Sequence, residues 1–388
     1  MSKNIVILLG SYYPNYSAVG VCAKKLVENL AMDNNVRVVS FANGANKQSK
    51  SLARHEVFFI KNRYNRVVNA LMRVFSPFSL NSNIIKQFEQ KLLELNSIDK
   101  IDVVIPMSFP YESNQAALKF KKKHQGVLLI PCLLDEYVSN SALHYNFILQ
   151  KLKSYFLKKN QQFLISQSDR VIMLRSVFDN IESGFEDTKK IYSVLPPLID
   201  GDGFVSVKKT SSKCLSIVYA GSLTTKHRDP LKLINGLTDL SDFFNSYHVS
   251  FKFFGNGDGY DFWNSMDQNK MELFRYAGSV SYDESTQLMR DADFLLSVGD
   301  NSGRQISSKI FEYMNMGKPI LHYSYVNNCA TGRLLEKYPF SFIIAHGEVV
   351  DLEKFHKFIK MEFSTYNCNL KMIYPEATSD FYRQIILS

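Results

Sequence analysis

DADFLLSVGDNSGRQISSKIFEYMNMGKPILHY, residues 291–323, reads as one complete strand–loop–helix–strand passage. DFLLSVG (293–299) is a continuous apolar run that stops at glycine, the pattern of a strand buried on both faces. A polar, glycine-containing loop follows. Ser307 and Ser308 open a helix that bears Glu312, and MGKPI begins another strand. Ser308 can cap that helix, whose free amides would favour an anion. Two buried strands joined through a helix run parallel, with the helix lying on the sheet.

The same alternation extends in both directions. Toward the N-terminus come strand-like runs at LSIVYAG (215–221), HVSFKFFG (248–255) and FRYAGS (274–279), and after the helix comes PILHYS (319–324). A separate series occupies the first half: NIVILLG (4–10), VRVVSFA (36–42), HEVFFI (55–60), DVVIPMS (102–108), VLLIPCLLD (127–135) and DRVIML (169–174). Helical stretches are expected at 21–32, 84–95, 112–123 and 146–166. Between the series, SVLPPLIDGDGFVSVKKTSSK (193–213) has linker composition. The fold class is therefore α/β, two doubly wound Rossmann-like domains facing each other across a cleft, with ligands beyond the carboxyl ends of the strands. The expected boundaries are 1–197, a linker at 198–212, a second domain at 213–370, and a C-terminal helix at 371–388 returning to the first domain.

Composition agrees with that reading. The 388 residues are 45% hydrophobic and 21% charged, which excludes disordered and collagen-like chains. Cys22, Cys132, Cys214, Cys329 and Cys368 are odd in number and too scattered for a zinc site, so a disulfide framework is not expected and a reducing cytosol is. The apolar run at 5–9 is too short for a signal peptide, and no run reaches the length of a membrane span. A soluble or peripheral protein is expected.

Three glycine-bearing loops fall at strand ends in the second half: YAGSLTTKHRDP (219–230), FFGNGDG (253–259) and YAGSVSYDE (276–284). Glycine there lets backbone amides approach a ligand. Glu312, one helical turn beyond Ser308, either accepts two hydrogen bonds from a ribose diol or faces solvent.

In this order and spacing YAGSL, FFGNGDG, YAGSVSYDESTQLMRDADFLLSV and FEYMNMGKPI resemble the nucleotide-sugar domain of family 4 glycosyltransferases. The similarity spans most of the chain and is strongest over 215–323. It implies the GT-B architecture and a nucleotide diphosphate sugar as co-substrate, most often a UDP-sugar, with no further cofactor. The glycosyl group, typically a hexosyl group, would pass to a hydroxyl of a glycan or lipid-linked acceptor with retention, in bacterial surface polysaccharide synthesis. Glu312 matches the second glutamate of the family's Glu-x7-Glu motif, which holds the ribose. The first would fall at 304, where this chain has Arg304, a cation that accepts no hydrogen bond. Gly303, Gln305, Ile306, Ser307 and Ser308 occupy the loop that meets sugar and diphosphate. Relatives carry Arg directly after the first-loop glycine. Here Ser222 follows Gly221, which leaves Arg228, then Lys226, as the phosphate cations. Gly255 belongs to the second loop, and Val280 would lie against the base. In the first domain Val19 and Gly20 would approach donor phosphates or acceptor. Where many relatives have a histidine, this chain has Asp135 and Glu136. Asp135 either orients or deprotonates an acceptor hydroxyl or caps the next helix; His144 is the weaker substitute. No Asp-x-Asp stands at a strand end, in keeping with metal-independent transfer.

Residues 1–200 hold 26 Lys and Arg against 16 Asp and Glu, whereas the remainder holds 20 against 21. The whole positive excess belongs to the first half. KNRYNRVVNALMRVF (61–75) sets Lys61, Arg63, Arg66 and Arg73 beside Val67, Val68, Leu71, Met72 and Phe75, and KKK (121–123) and KLKSYFLKK (151–159) add charge. The segment either lies on an anionic membrane leaflet, making the protein peripheral on the cytoplasmic face, or packs as a core-facing helix with solvated charges. Two other readings stand beside glycosyl transfer: a nucleotide-sugar epimerase on the same fold, and a non-enzymatic nucleic-acid or anion-binding protein. The chain carries no helix-turn-helix, RNA-recognition or zinc-finger signature, so a nucleic-acid partner is not expected.

Overall fold

A computed structural model describes residues 2–14, 16–42, 49–61, 66–138, 147–179, 188–208, 214–266 and 272–388. The chain divides into two compact units, Met1–Leu198 with Glu376–Ser388, and Ile199–Pro375.

Unit one runs β1 (Asn4–Leu8), α1 (Ala18–Leu30), β2 (Asn35–Phe41), β3 (Lys50–Leu52), β4 (His55–Ile60), α2 (Arg66–Phe75), α3 (Ser82–Ile98), β5 (Val103–Pro106), α4 (Glu112–Lys123), β6 (Leu128–Leu129), β7 (Cys132–Leu133), α5 (Phe147–Gln167), β8 (Val171–Leu174), α6 (Arg175–Asp179) and β9 (Ile191–Val194). Its main sheet has the order β3-β4-β2-β1-β5-β6, parallel except for the β3–β4 pair. The run at 127–135 is two short strands rather than one. Pro131 offers no N–H to a ladder, so β6 pairs with β5 while β7 joins β8 and β9 in a separate three-stranded sheet. Helix α1 is capped by Ser17, whose hydroxyl accepts from Gly20 N at 3.1 Å. Its buried stripe is Cys22, Ala23, Leu26, Val27 and Leu30; Val21 points outward.

Unit two continues with β10 (Phe204–Ser206), β11 (Leu215–Ala220), α7 (Pro230–Thr238), α8 (Ser241–Ser246), β12 (Val249–Phe254), β13 (Phe274–Tyr276), α9 (Tyr282–Asp291), β14 (Phe294–Val298), α10 (Lys309–Asn315), β15 (Ile320–Ser324), α11 (Ala330–Leu335), β16 (Ser341–Ala345), α12 (Leu352–Ile359), β17 (Asn367–Asn369) and α13 (Leu370–Ile373). Its six-stranded sheet has the order β13-β12-β11-β14-β15-β16 with every neighbour parallel. This is the doubly wound order whose crevice opens where β11 and β14 lead away in opposite directions. β10 lies inside the segment that composition marks as linker; it pairs antiparallel with β17 and ties the start of unit two to its end.

Helix α14 (Ser379–Leu387) belongs to unit one. Tyr382, Ile385 and Ile386 join the core of Ile5, Ile7, Leu26 and Leu30. Asn29 Nδ2 donates to Asp380 at 2.7 Å, and Arg383 donates to Asn29 O at 2.7 Å.

Of the cations of the basic segment that are described with their side chains, Lys61 is exposed and Arg73 is not. Residues 62–65, with Arg63, lie outside the described residues, as do the side chains of Arg66, Val67 and Val68. Arg73 turns inward to the fully buried Glu112, with Nη2 3.0 Å from Oε1. Lys153 turns inward too, donating to Arg73 O at 2.9 Å and to Val74 O and Ser76 O at 2.7 Å, the carbonyls that end α2. Lys123 pairs with Glu89 and Lys121 with Asp169. None of the five cysteines forms a disulfide. Among the described residues no helix is long and apolar enough to cross a membrane.

Candidate functional site

The three glycine loops are laced together at the carboxyl ends of β11, β12 and β13. Gly221 N donates to Phe254 O at 2.9 Å, Leu223 N to Asn256 O at 3.2 Å, and Gly255 N to Gly278 O at 3.0 Å. Tyrosines behind the loops hold the carbonyls: Tyr219 donates to Ser222 O at 2.9 Å, Tyr260 to Gly221 O at 2.8 Å, and Tyr276 to Gly255 O at 2.9 Å. The approach leaves no room for a side chain. A Cβ on Gly255 would stand 1.9 Å from Gly221 O, and Gly255 has φ +143°.

These loops, with the end of β14 and the start of α10, surround a cavity of about 390 Å³. Gly221, Ser222, Arg228, Gly255, Val280, Ser307 and Ser308 line it, as do Asn256, Ser279, Ser281, Ser297 and Lys309. Among the described residues lining it there are two cations, Arg228 and Lys309, and no carboxylate. Seven lining residues are serines, so hydroxyl donors surround the two charges.

Arg228 sits on a turn whose ends are fixed by its own N–H donating to Thr224 O at 2.8 Å and by Asp229, which caps α7. Its Nη1 reaches Ser222 O at 3.4 Å, and its Nε is buried with no hydrogen-bond partner. A guanidinium lining a cavity is equipped to hold an oxyanion. Lys309 was not singled out in the sequence, where Ile310 and Phe311 make it look like one polar position on a packed helix. Its ammonium donates to Ala220 O at the end of β11. Burial lowers the Lys309 pKa, the charge of Glu312 opposes that shift, and Arg228 adds to it.

Ser308 is the residue before α10, but its side chain makes no capping bond, and α10 has only seven residues. The residue lines the cavity. Lys226, Gly303, Arg304, Gln305, Ile306 and Glu312 are not among the lining residues. Lys226 is exposed, and its carbonyl accepts from Asn301 Nδ2 at 2.9 Å. Gly303 has φ +65°, and a Cβ there would lie 2.2 Å from Val326 Cγ2. Arg304 and Gln305 are exposed on a loop organised by Asp300, which accepts from Ser302 N at 3.0 Å and Gln305 N at 3.2 Å. Glu312 is half-buried, one turn beyond Lys309.

Beneath the cavity wall, Ser297 Oγ is 3.0 Å from His322 Nδ1, and His322 Nε2 is 3.3 Å from Cys329 Sγ. Complete burial pushes the His322 pKa down to about 4, so the imidazole is neutral at pH 7.

In unit one, Gly20 serves the chain's own packing: a Cβ there would sit 2.4 Å from Ser11 O. Val19 is half-buried beside it in α1. Asp135 follows β7; its N–H donates to the buried Ser108 hydroxyl at 3.0 Å, and its side chain is exposed at the surface. The surrounding protein still desolvates the carboxyl enough to raise its pKa. Glu136 is half-buried. His144 lies outside the described residues.

No protein-family model matches the chain, and neither does any curated protein sequence. Solved structures do match over its whole length. A glycosyltransferase from Rickettsia africae aligns over 100% of this chain and 93% of its own, with TM-score 0.58 and 12% identity. The Anabaena protein HepE in complex with UDP and glucose aligns over 99% and 98%, with TM-score 0.56 and 14% identity. The UDP-GlcNAc 2-epimerase from Methanocaldococcus jannaschii aligns over 99% of each chain, with TM-score 0.55 and 10% identity. At such identities the likeness is one of fold: two Rossmann-like units, each built on a six-stranded sheet that is parallel but for the β3–β4 pair of unit one.

Proposed function

We propose that unit two binds a nucleotide diphosphate sugar, a UDP-sugar first among them, and that the protein is a glycosyltransferase of the family 4 type. The observation that carries this reading is the cavity itself: Arg228 and Lys309 with no carboxylate among the described lining residues, hydroxyls around them, and glycine-held loops at the switch point of a parallel sheet. Such a site suits two linked phosphates. That HepE was solved with UDP and glucose supports the reading, as does the glycosyltransferase from Rickettsia africae.

In the reaction, the bond from the anomeric carbon to the β-phosphate oxygen breaks and a bond from that carbon to the acceptor oxygen forms. The acceptor proton leaves and the nucleoside diphosphate departs. Arg228 and Lys309 would neutralise charge growing on the leaving group, the role otherwise open to a metal ion. Ser307 and Ser308 would donate to phosphate oxygens, Val280 would meet the base, and Glu312 the ribose. The raised pKa of Asp135 suits a group that orients or deprotonates the acceptor hydroxyl, with Glu136 beside it. Retention of configuration, a hexosyl group, a glycan or lipid-linked acceptor, surface polysaccharide synthesis and docking on the anionic cytoplasmic leaflet complete the reading. The basic excess of the first half supports the last of these.

Calorimetry with UDP, GDP, ADP and dTDP sugars tests the donor site, and absence of heat with all of them overturns it. Mass spectrometry of products from the bound donor and a membrane lipid extract tests transfer. The epimerase reading instead requires the donor sugar to change configuration with no acceptor present.

A further inference from the structure

Helix α5 is apolar on both sides. Leu157, Leu164 and Ile165 are buried against unit one. On the opposite side Leu152, Tyr155, Phe156 and Phe163 are exposed, Leu152 to 71% and Tyr155 to 64%. Spaced i, i+3, i+4 and i+11, they form one stripe along the outer face. Helix α2 ends beside α5, because Lys153 joins the two through its bonds to the carbonyls of Arg73, Val74 and Ser76. Leu71 is 51% and Phe75 83% exposed there. The arrangement inverts an ordinary surface helix. Arg73 and Lys153 face inward, satisfied by Glu112 and by main-chain oxygens, while leucine and phenylalanine face out.

A stripe of this size needs cover. Neither α2 nor α5 contains an acidic residue, and Lys151, Lys158 and Lys159 are exposed along α5. Two rim lysines fold over stripe rings: Lys159 over Tyr155 at 5.8 Å and Lys122 over Phe163 at 4.8 Å. Self-pairing about a two-fold axis would bring equal lysine rims together, which disfavours a second copy. A single-stranded nucleic acid would stack on the aromatic rings but gains nothing from Leu71 and Leu152. An anionic lipid leaflet satisfies both features at once: acyl chains take the leucines and phenylalanines, and headgroups take the lysines.

We propose that the α2–α5 crest inserts into the headgroup–acyl boundary of an anionic membrane, with Leu71, Phe75, Leu152 and Phe156 as the buried anchors. This deepens the membrane reading above and is independent of the donor cavity, since every residue involved lies in unit one. Docking is then driven by burial of apolar side chains as well as by charge, and it outlasts salt concentrations that screen the lysines.

The experiment uses the full chain with vesicles of phosphatidylcholine alone or mixed with phosphatidylglycerol. We expect retention on the mixed vesicles, weakened at least about tenfold in the combined Phe75→Ser, Leu152→Ser, Phe156→Ser variant. The substituted side chains are exposed, so the thermal midpoint and donor binding by calorimetry remain those of the parent. A Phe156→Trp variant reads insertion directly, because the single native tryptophan, Trp263, is buried in unit two. Its fluorescence is expected to shift to the blue and be quenched by brominated acyl chains. The proposal is overturned by a parent that ignores both vesicles, by retention with no quenching at position 156, by a dimer that the serine variant dissolves, or by tighter retention on poly(U) through the same residues. Loss of donor heat with vesicle binding intact would sink the donor reading alone.

Discussion

Replacing Lys309 with Met separates the work of the cavity from the stability of the fold. The two side chains have similar length and helix propensity, so α10 keeps its form while the ammonium disappears. In the free protein that ammonium is desolvated and repelled by Arg228, and it is held by its bond to Ala220 O. Its removal leaves one carbonyl without that donor, a loss of about 1 kcal/mol, and relieves a buried charge; the two effects oppose each other. Unfolding free energy should therefore stay within about 1 kcal/mol of the parent. Binding responds differently. A charge-assisted bond to phosphate contributes about 1.5–3 kcal/mol, so affinity for the nucleoside diphosphate should fall roughly 10- to 150-fold. The pH dependence has a definite sign. Phosphate raises the Lys309 pKa above its lowered free value, so binding takes up a proton and weakens as pH rises through that free value. Lys309→Arg stays charged and should flatten the profile. Calorimetry across alkaline pH, with urea unfolding of each variant, makes the measurement. Affinity unchanged within about twofold, or a stability loss beyond about 3 kcal/mol that accounts for weaker binding, would refute the assignment.

Other perturbations give equally definite outcomes. Gly255→Ala forces a Cβ to within 1.9 Å of Gly221 O at φ +143°, and should destabilise unit two by about 2–4 kcal/mol in denaturant titration while weakening donor binding. His322 is held neutral, with its pKa depressed to about 4, so the folded state binds fewer protons than the unfolded state between that value and the ordinary histidine value near 6.5. Its contribution is fully present above about pH 6.5 and is lost as pH falls through 4, removing about 3 kcal/mol; urea unfolding at pH 7 and pH 4 measures the drop, and His322→Asn should show a shallower one. Glu112→Gln leaves Arg73 facing a neutral amide inside unit one and should lower stability by about 3 kcal/mol, detected as an earlier chemical unfolding transition.

Unit two was legible in the sequence because each of its loops is dictated by a local constraint. Gly221, Gly255 and Gly278 take part in the main-chain hydrogen bonds that lace the loops, and a residue with a side chain would collide at 255, whereas position 278 is open. Buried parallel strands announce themselves as largely apolar runs, and the five read in order leave out only β16 of the sheet. The second cation escaped for a related reason. Lys226 follows a glycine loop and looks functional, but its carbonyl, not its ammonium, is what the fold engages. Lys309 precedes Ile310 and Phe311 and looks structural, and only the return of α10 to the end of β11 brings it to the cavity. Which of two lysines lines the cavity is a tertiary fact that no spacing along one segment encodes.

The basic helices of unit one show the converse. Arginine, lysine and apolar residues alternate in 61–75 in a way that composition alone assigns to a cationic face. Yet a cation is drawn inward when the interior offers it a carboxylate or a helix's terminal carbonyls, and Glu112 and the end of α2 offer both. Nothing in the segment itself reveals that offer, because Glu112 lies 39 residues beyond Arg73. Once Arg73 is taken inside, helical geometry turns Leu71 and Phe75 outward, on a helix that Lys153 ties to α5 and its exposed stripe. The surface that results is apolar at its crest and positive at its rim, which is the order of layers in an anionic leaflet read from the acyl chains outward.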